Sequence, residues 1–250
     1  MKKLFTILCA VLLTLAVSAQ TGKGDKRFGI VAGLNVAYPV GDDMEDLIEY
    51  ADDYIDDNGG DAEGGVKPRY GIHAGGVFDY FLVDNLALSS GLIYSMKGFT
   101  MKSKIEGVQY NPYPGYSSNY EWEENLSVQL NYIDIPIGVK YATDEGFEIS
   151  GGLMISFLAS DNVDYDCDGD DCDDYFVFSN DDIIDPDDYE DAFGDDPEGT
   201  LMGLQFGVGY TFNEKFNISF KLQKTGNFGE IENKDDNQNL TLQLSTGLYF

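Results

Sequence analysis

The chain of 250 residues carries 45 Asp and Glu against 15 Lys and Arg, a formal net charge of −30, with a single histidine. Phosphate recognition needs clustered Lys and Arg, so this balance excludes nucleic acid as a partner. Beyond the amino-terminal segment no run approaches the roughly 18 apolar residues of a spanning helix, so any membrane crossing has to be made by strands.

Lys2 and Lys3 precede an apolar run from Leu4 to Val17, and small residues surround Ala19 before Gln20. This pattern predicts a secretory signal peptide over residues 1–19, cleaved after Ala19. Cys9 follows Leu8, where a lipoprotein signal wants a small residue, so no lipid anchor is expected. Cleavage would leave one domain-sized chain with an even more acidic balance.

After a short lead over 20–27, eight segments alternate apolar with small or polar side chains. They run near Phe28–Tyr38, Arg69–Phe81, Leu86–Thr100, Leu126–Tyr141, Phe147–Ala159, Thr200–Phe212, Phe216–Phe228 and Gln238–Phe250. The second, fourth and sixth end in short turns at Asp84-Asn85, Thr143–Gly146 and Asn213–Lys215, while the others run into long polar connections. In outer-membrane barrels short turns face the periplasm and long loops face outside, which predicts two periplasmic termini.

Period 2 assigns the faces. Leu240, Leu242, Leu244, Leu248 and Phe250 share one side of the last strand, with Thr241, Gln243, Ser245, Gly247 and Tyr249 on the other. The sixth strand sets Leu204, Phe206, Val208, Tyr210 and Phe212 against Gln205, Gly207, Gly209 and Thr211. A soluble barrel needs its bulky apolar groups inside, so the large, greasy face is expected to meet lipid. Aromatics gather near strand ends as interfacial girdles: Phe28, Tyr80, Tyr141, Phe147, Tyr210, Phe212, Phe216 and Phe250 at one end, Tyr38, Tyr70, Phe99 and Phe228 at the other. In the fourth strand the apolar phase moves from Leu126, Val128 and Leu130 to Ile133, Ile135, Ile137 and Val139, and a β-bulge near Tyr132 would account for it. The fold class expected is therefore all-β: an eight-stranded antiparallel transmembrane β-barrel over 28–250 in the bacterial outer membrane.

The run NYIDIPIGVKY from Asn131 to Tyr141 resembles the motif of the PorT-like outer-membrane β-barrel domain family, as do FGIVAGLNVAYP and the aromatic terminus. The resemblance implies an eight-stranded barrel and little chemistry, since most members have no assigned activity.

His73 falls on the inward phase of the second strand. As a catalytic base it would need a nucleophile and an orienting carboxylate, for which Ser89, Ser95 and Glu148 are the available partners; the other reading is a buried hydrogen-bonding histidine. Asp79, Lys97, Asp134, Lys140, Glu148 and Lys221 are inward as well. Side chains fill an eight-stranded interior, so these charges are expected to pair, the alternative being an ion pathway.

Of the 45 carboxylates, 11 lie in Pro39–Lys67 and 18 in Ala159–Gly199, the latter with no base. These long acidic extracellular loops read as a solvated surface or as a binding or shielding one. Each carries a short predicted helix: one spans about Asp43–Asp57 with Met44, Leu47, Ile48 and Tyr54 on one side, and another starts at Asp185-Pro186. Asp164, Asp166 and Asp168 with Gly169 have the alternating carboxylates of a calcium loop, and Asp170, Asp173 or Asp174 would complete the shell in place of the position-twelve glutamate. Cys167 and Cys172 form either a short disulfide staple or two free thiols. Catalytic residues and a required cofactor are not expected. The expected partners are outer-membrane lipid and an extracellular ligand, and the expected state is a monomer. A narrow ion-conducting or secretion-linked barrel is the second reading, a lipid-modifying enzyme the third.

Overall fold

A computed structural model describes residues 22–40, 60–110, 117–169, 200–226 and 238–250. Eight strands follow in chain order: β1 Lys26–Val40, β2 Gly60–Val83, β3 Leu86–Tyr110, β4 Ser117–Ala142, β5 Phe147–Gly169, β6 Thr200–Phe212, β7 Phe216–Thr225 and β8 Gln238–Tyr249. Each pairs antiparallel with the next, and β1 closes on β8 from Gly29↔Tyr249 to Val40↔Gln238. Closure removes both sheet edges, the condition for strands to stand in hydrocarbon. The described residues contain no helix. The signal peptide, both predicted loop helices, Asp170, Cys172, Asp173, Asp174 and Phe228 lie outside the described residues.

The three short connections stand where expected. Asn213 (φ 49°) and Glu214 (φ 60°) both occupy the left-handed region, and Lys215 N donates to Phe212 O across 3.1 Å, the twist that suits a tight hairpin. The faces are inverted relative to a soluble protein. Leu92, Met202 and Leu204 on the outside are 60%, 63% and 65% exposed, while Asp79, Asn35 and Ser95 inside are 0% exposed. Outward aromatics at the short-turn end include Phe28, Tyr80, Tyr141, Phe147, Tyr210, Phe212 and Phe216. At the other end Tyr38 and Tyr70 are exposed, but Phe99 is buried inside.

Two sequence expectations change. First, β2 to β5 continue well past the expected strand ends: Gly60–Pro68, Met101–Tyr110, Ser117–Asn125 and Ser160–Gly169 are strand, where sequence alone suggests loop. Second, β4 keeps one phase throughout. Leu126, Val128, Leu130, Tyr132, Asp134 and Lys140 are all buried, and Ile137 and Val139 are exposed. The bulge exists at the expected level, but the register step from Asn131↔Ser160 to Tyr132↔Leu158 puts the extra residue, Ala159, on β5.

What reverses along β4 is therefore the surroundings, not the strand. Between Ile133 and Tyr141 the outward residues are apolar, as lipid requires; beyond Asn131 the outward residues are Gln129, Ser127, Asn125 and Glu123, and the apolar ones turn inward. There Phe99, Met101, Leu126, Val128, Leu130, Tyr132 and Leu201 form one buried cluster, with Val66 and Leu158 packed against it. The same inversion on β3 (Leu92 and Tyr94 giving way to Thr100 and Lys102) and on β5 (Ile155 and Phe157 giving way to Ser160, Asn162 and Asp164) draws the upper limit of the apolar belt. On β5 that belt runs from Phe147 to Phe157, 11 residues, which matches the span of a tilted strand across hydrocarbon, about 9 to 11.

Candidate functional site: the charged lumen and the emergent sheet

The lumen near the short turns is filled by one network of ion pairs and hydrogen bonds drawn from all eight strands. The register Arg27↔Asp79 puts a guanidinium beside a carboxylate. Arg27 Nη2 lies 2.9 Å from Asp79 Oδ2 and 2.9 Å from Glu148 Oε1, so one arginine bridges β2 and β5. Lys140 Nζ donates to Asp79 Oδ2 at 2.9 Å and to Tyr249 Oη at 3.0 Å. The remaining carboxylate lone pairs are taken by Ser89 Oγ on Asp79 Oδ1 (2.7 Å), Thr211 Oγ1 on Glu148 Oε1 (2.9 Å) and Asn217 Nδ2 on Glu148 Oε2 (3.2 Å). Arg27 also stands 4.0 Å from the Tyr249 ring centroid, a cation over an aromatic face.

Further up, Lys97 Nζ is 3.0 Å from Asp134 Oδ2, Ser156 Oγ donates to Asp134 Oδ1 at 2.6 Å, and the ammonium lies 5.2 Å from the Tyr132 ring centroid. Above these, Gln223 Nε2 donates to Gln243 Oε1 at 2.8 Å. Buried charges are tolerated only when paired and hydrogen-bonded, and this geometry meets that condition. Of the six inward charges expected to pair, Asp79, Lys97, Asp134, Lys140 and Glu148 do so, while Lys221 enters no ion pair among the described residues, and together they occupy the space a pore would need.

His73 is 2% exposed and holds none of its expected partners. Its Nδ1 lies 2.7 Å from Asn35 Oδ1, and its Nε2 lies 2.8 Å from Ser245 Oγ. Asn35 Nδ2 donates to Ser95 Oγ and to the carbonyls of Ile72 and Met96. The amide oxygen therefore faces the ring, so Nδ1–H donates to it, and in the neutral imidazole Nε2 accepts from the Ser245 hydroxyl. Serine, histidine and asparagine stand in the order of an activated nucleophile. Ser245 is 2% exposed, however, and a substrate carbonyl has no approach to it. Its partners come from β1 and β8, not from β3 and β5.

Two residues central to the lumen are not legible as such in the sequence. Arg27 falls in the stretch read as a lead, although it continues the inward phase of β1 by one step. Asn35 shares that phase with Gly29, Val31, Gly33 and Ala37, none of which signals a hydrogen-bonding role for it. Applying the alternation to residues before Phe28 would have found the arginine.

Of the expected calcium ligands, Asp164, Asp166 and Asp168 sit at alternate positions of β5, exposed, opposite Ser127, Asn125 and Glu123 of β4. They share one outward face of an extended strand instead of curling round a turn. Among the described residues no group of three His, Cys, Asp or Glu side chains converges as a metal cage. Lys102 Nζ lies 3.5 Å from Glu123 Oε1 on the same emergent sheet.

The model of the family described as Outer membrane protein beta-barrel domain matches residues 18–224. The chain belongs to that family. Its place is accordingly the bacterial outer membrane. No curated protein matches the chain. Among solved structures it is similar to Ail, the attachment invasion locus protein of Yersinia pestis, at 11% identity and TM-score 0.40, covering 91% of this chain and 99% of that one. It is also similar to the outer membrane protein OprG from Pseudomonas aeruginosa, at 11% identity and TM-score 0.34, covering 93% and 99%. Neisserial surface protein A is a third, at 8% identity and TM-score 0.32, covering 89% and 97%.

Proposed function

We propose that this is a non-enzymatic outer-membrane barrel whose work is done at the cell surface, by the sheet and acidic segments that rise from one end of a closed lumen and bind or shield there. The observation that carries this reading is the continuation of β2 to β5 beyond the lipid belt. On β5 the extension runs from Leu158 to Gly169, 12 residues, on the order of 40 Å of strand at about 3.3 Å per residue. Strand ordering this far from the hydrocarbon is not needed to span it, and the outward residues there are polar. In this reading the long-connection end is extracellular, residues 1–19 are a cleaved signal, both mature termini are periplasmic, the barrel is a monomer, and NYIDIPIGVKY marks a PorT-like member of the family. Calcium across Asp164, Asp166 and Asp168 would relieve the repulsion of an acidic strand that carries no base.

A narrow ion-conducting or secretion-linked barrel is the second reading, favoured by the column of ionisable side chains from Arg27 to Lys97. A lipid-modifying enzyme built on His73 and Ser245 is the third. An epitope placed in the connection 111–116 and recording in planar bilayers test the proposal together. Antibody labelling of intact cells and no stable conductance are expected. Labelling only after permeabilisation, or routine nanosiemens channels, would overturn it.

A further inference from the structure

We propose that the closed lumen holds one small monovalent anion, chloride in ordinary buffers, against Lys221. The lysine sits on the inward phase of β7, opposite Gly207 of β6 and Gln243 of β8. Gly207 leaves the space that a side chain would take: a Cβ added there would lie 2.8 Å from Ser150 Oγ and 2.9 Å from Lys221 Cγ. The lysine stem therefore passes over a bare backbone, beside the Ser150 hydroxyl. A cavity of about 40 Å³ has Lys221, Lys140, Ser150, Ser219 and Gln205 on its wall, together with the Glu148 carboxylate, which Arg27, Thr211 and Asn217 already engage. At about 10 to 15 Å³ per water, it has room for roughly three waters, or for one halide with a water beside it.

The charge count gives the sign of the occupant. Arg27, Lys97, Lys140 and Lys221 face Asp79, Asp134 and Glu148, so these lysine, arginine and carboxylate side chains of the lumen carry one surplus cation. All three carboxylates are engaged: Asp79 by Arg27 and Lys140, Glu148 by Arg27 with Lys140 at 3.9 Å, and Asp134 by Lys97. No ion pair among the described residues includes Lys221. An uncompensated ammonium inside a lipid-wrapped barrel is strongly unfavourable, and an anion beside it restores neutrality at short range. Ser150 and Ser219 carry hydroxyls that can donate to it. Gln205 Oε1 is buried and takes no hydrogen bond among the described residues, which suits a neighbouring water that donates to it. A divalent or polyatomic anion fits neither the single surplus charge nor the volume.

The test is anomalous diffraction at the bromine edge from crystals of the refolded protein soaked in bromide. It is combined with urea unfolding in sodium chloride against sodium gluconate at equal ionic strength. One internal bromide within hydrogen-bonding distance of Lys221 Nζ is expected. At chloride ten times its Kd the folding constant should rise about tenfold over gluconate. Lys221→Met should lose both the peak and the halide response; Lys221→Gln serves if that variant does not refold. A lumen without bromide in the wild type overturns the proposal in favour of a neutral amine, whatever the variants do. An equal halide response in wild type and variant also overturns it.

Discussion

Asp79→Asn isolates what the lumen network contributes, because the substitution keeps the volume and the contact with Ser89 while removing one charge. In the native barrel this carboxylate, 0% exposed, accepts from Arg27 Nε and Nη2 at 3.1 and 2.9 Å and from Lys140 Nζ at 2.9 Å. The amide leaves two buried cations with Glu148 as the one remaining carboxylate nearby, and that oxygen pair is already occupied by Thr211 and Asn217. Breaking a buried pair from one side costs about 3 to 5 kcal/mol, which is a loss of roughly a hundredfold or more in the folding constant. Urea unfolding of the refolded protein, read by the gel shift of a heat-modifiable barrel, measures it. Adding Lys140→Met to Asp79→Asn removes one of the stranded cations and should recover at least 1 kcal/mol, so the two substitutions will be non-additive. If Asp79→Asn unfolds within about 0.5 kcal/mol of wild type, or if the double variant is simply additive, the network is not holding the lumen and the reasoning fails.

Gly75→Ala should destabilise by about 1 to 3 kcal/mol or more, because an inward Cβ would run into the Leu92 carbonyl and the Ile93 backbone, which cannot yield. Gly76→Ala, whose Cβ points outward with Gly29 O at 4.0 Å, should be close to neutral in the same unfolding assay. His73→Leu leaves Asn35 and Ser245 without their buried partner and should cost about 1 to 3 kcal/mol, while a fluorophosphonate probe should leave Ser245 unlabelled in the folded wild type; labelling there would revive the enzymatic reading. Calorimetry with calcium should show weak binding, about 10⁻⁴ to 10⁻³ M, that disappears in Asp166→Ala with Asp168→Ala; equal heats in both proteins would return this strand to a plain solvated surface.

By itself the sequence determined the number of strands, their order, the three short turns and which face meets lipid. Those properties follow from period-2 alternation, which any strand with different solvents on its two sides must show. It also put His73 and six of the lumen charges on the inner face. Their partners were another matter. Arg27 reaches Glu148 across 121 residues of chain and His73 reaches Ser245 across 172, and only closure of β1 on β8 and the register of each hairpin decide such meetings. The emergent sheet was hidden for a different reason. Above the lipid belt β4 keeps its alternation but its apolar residues turn to the inside, so Leu126, Val128 and Leu130 look like a slipped strand when lipid is assumed to lie outside along its whole length. A sequence states which side chains share a face; which solvent that face meets at a given height is set by where the folded barrel stops touching hydrocarbon.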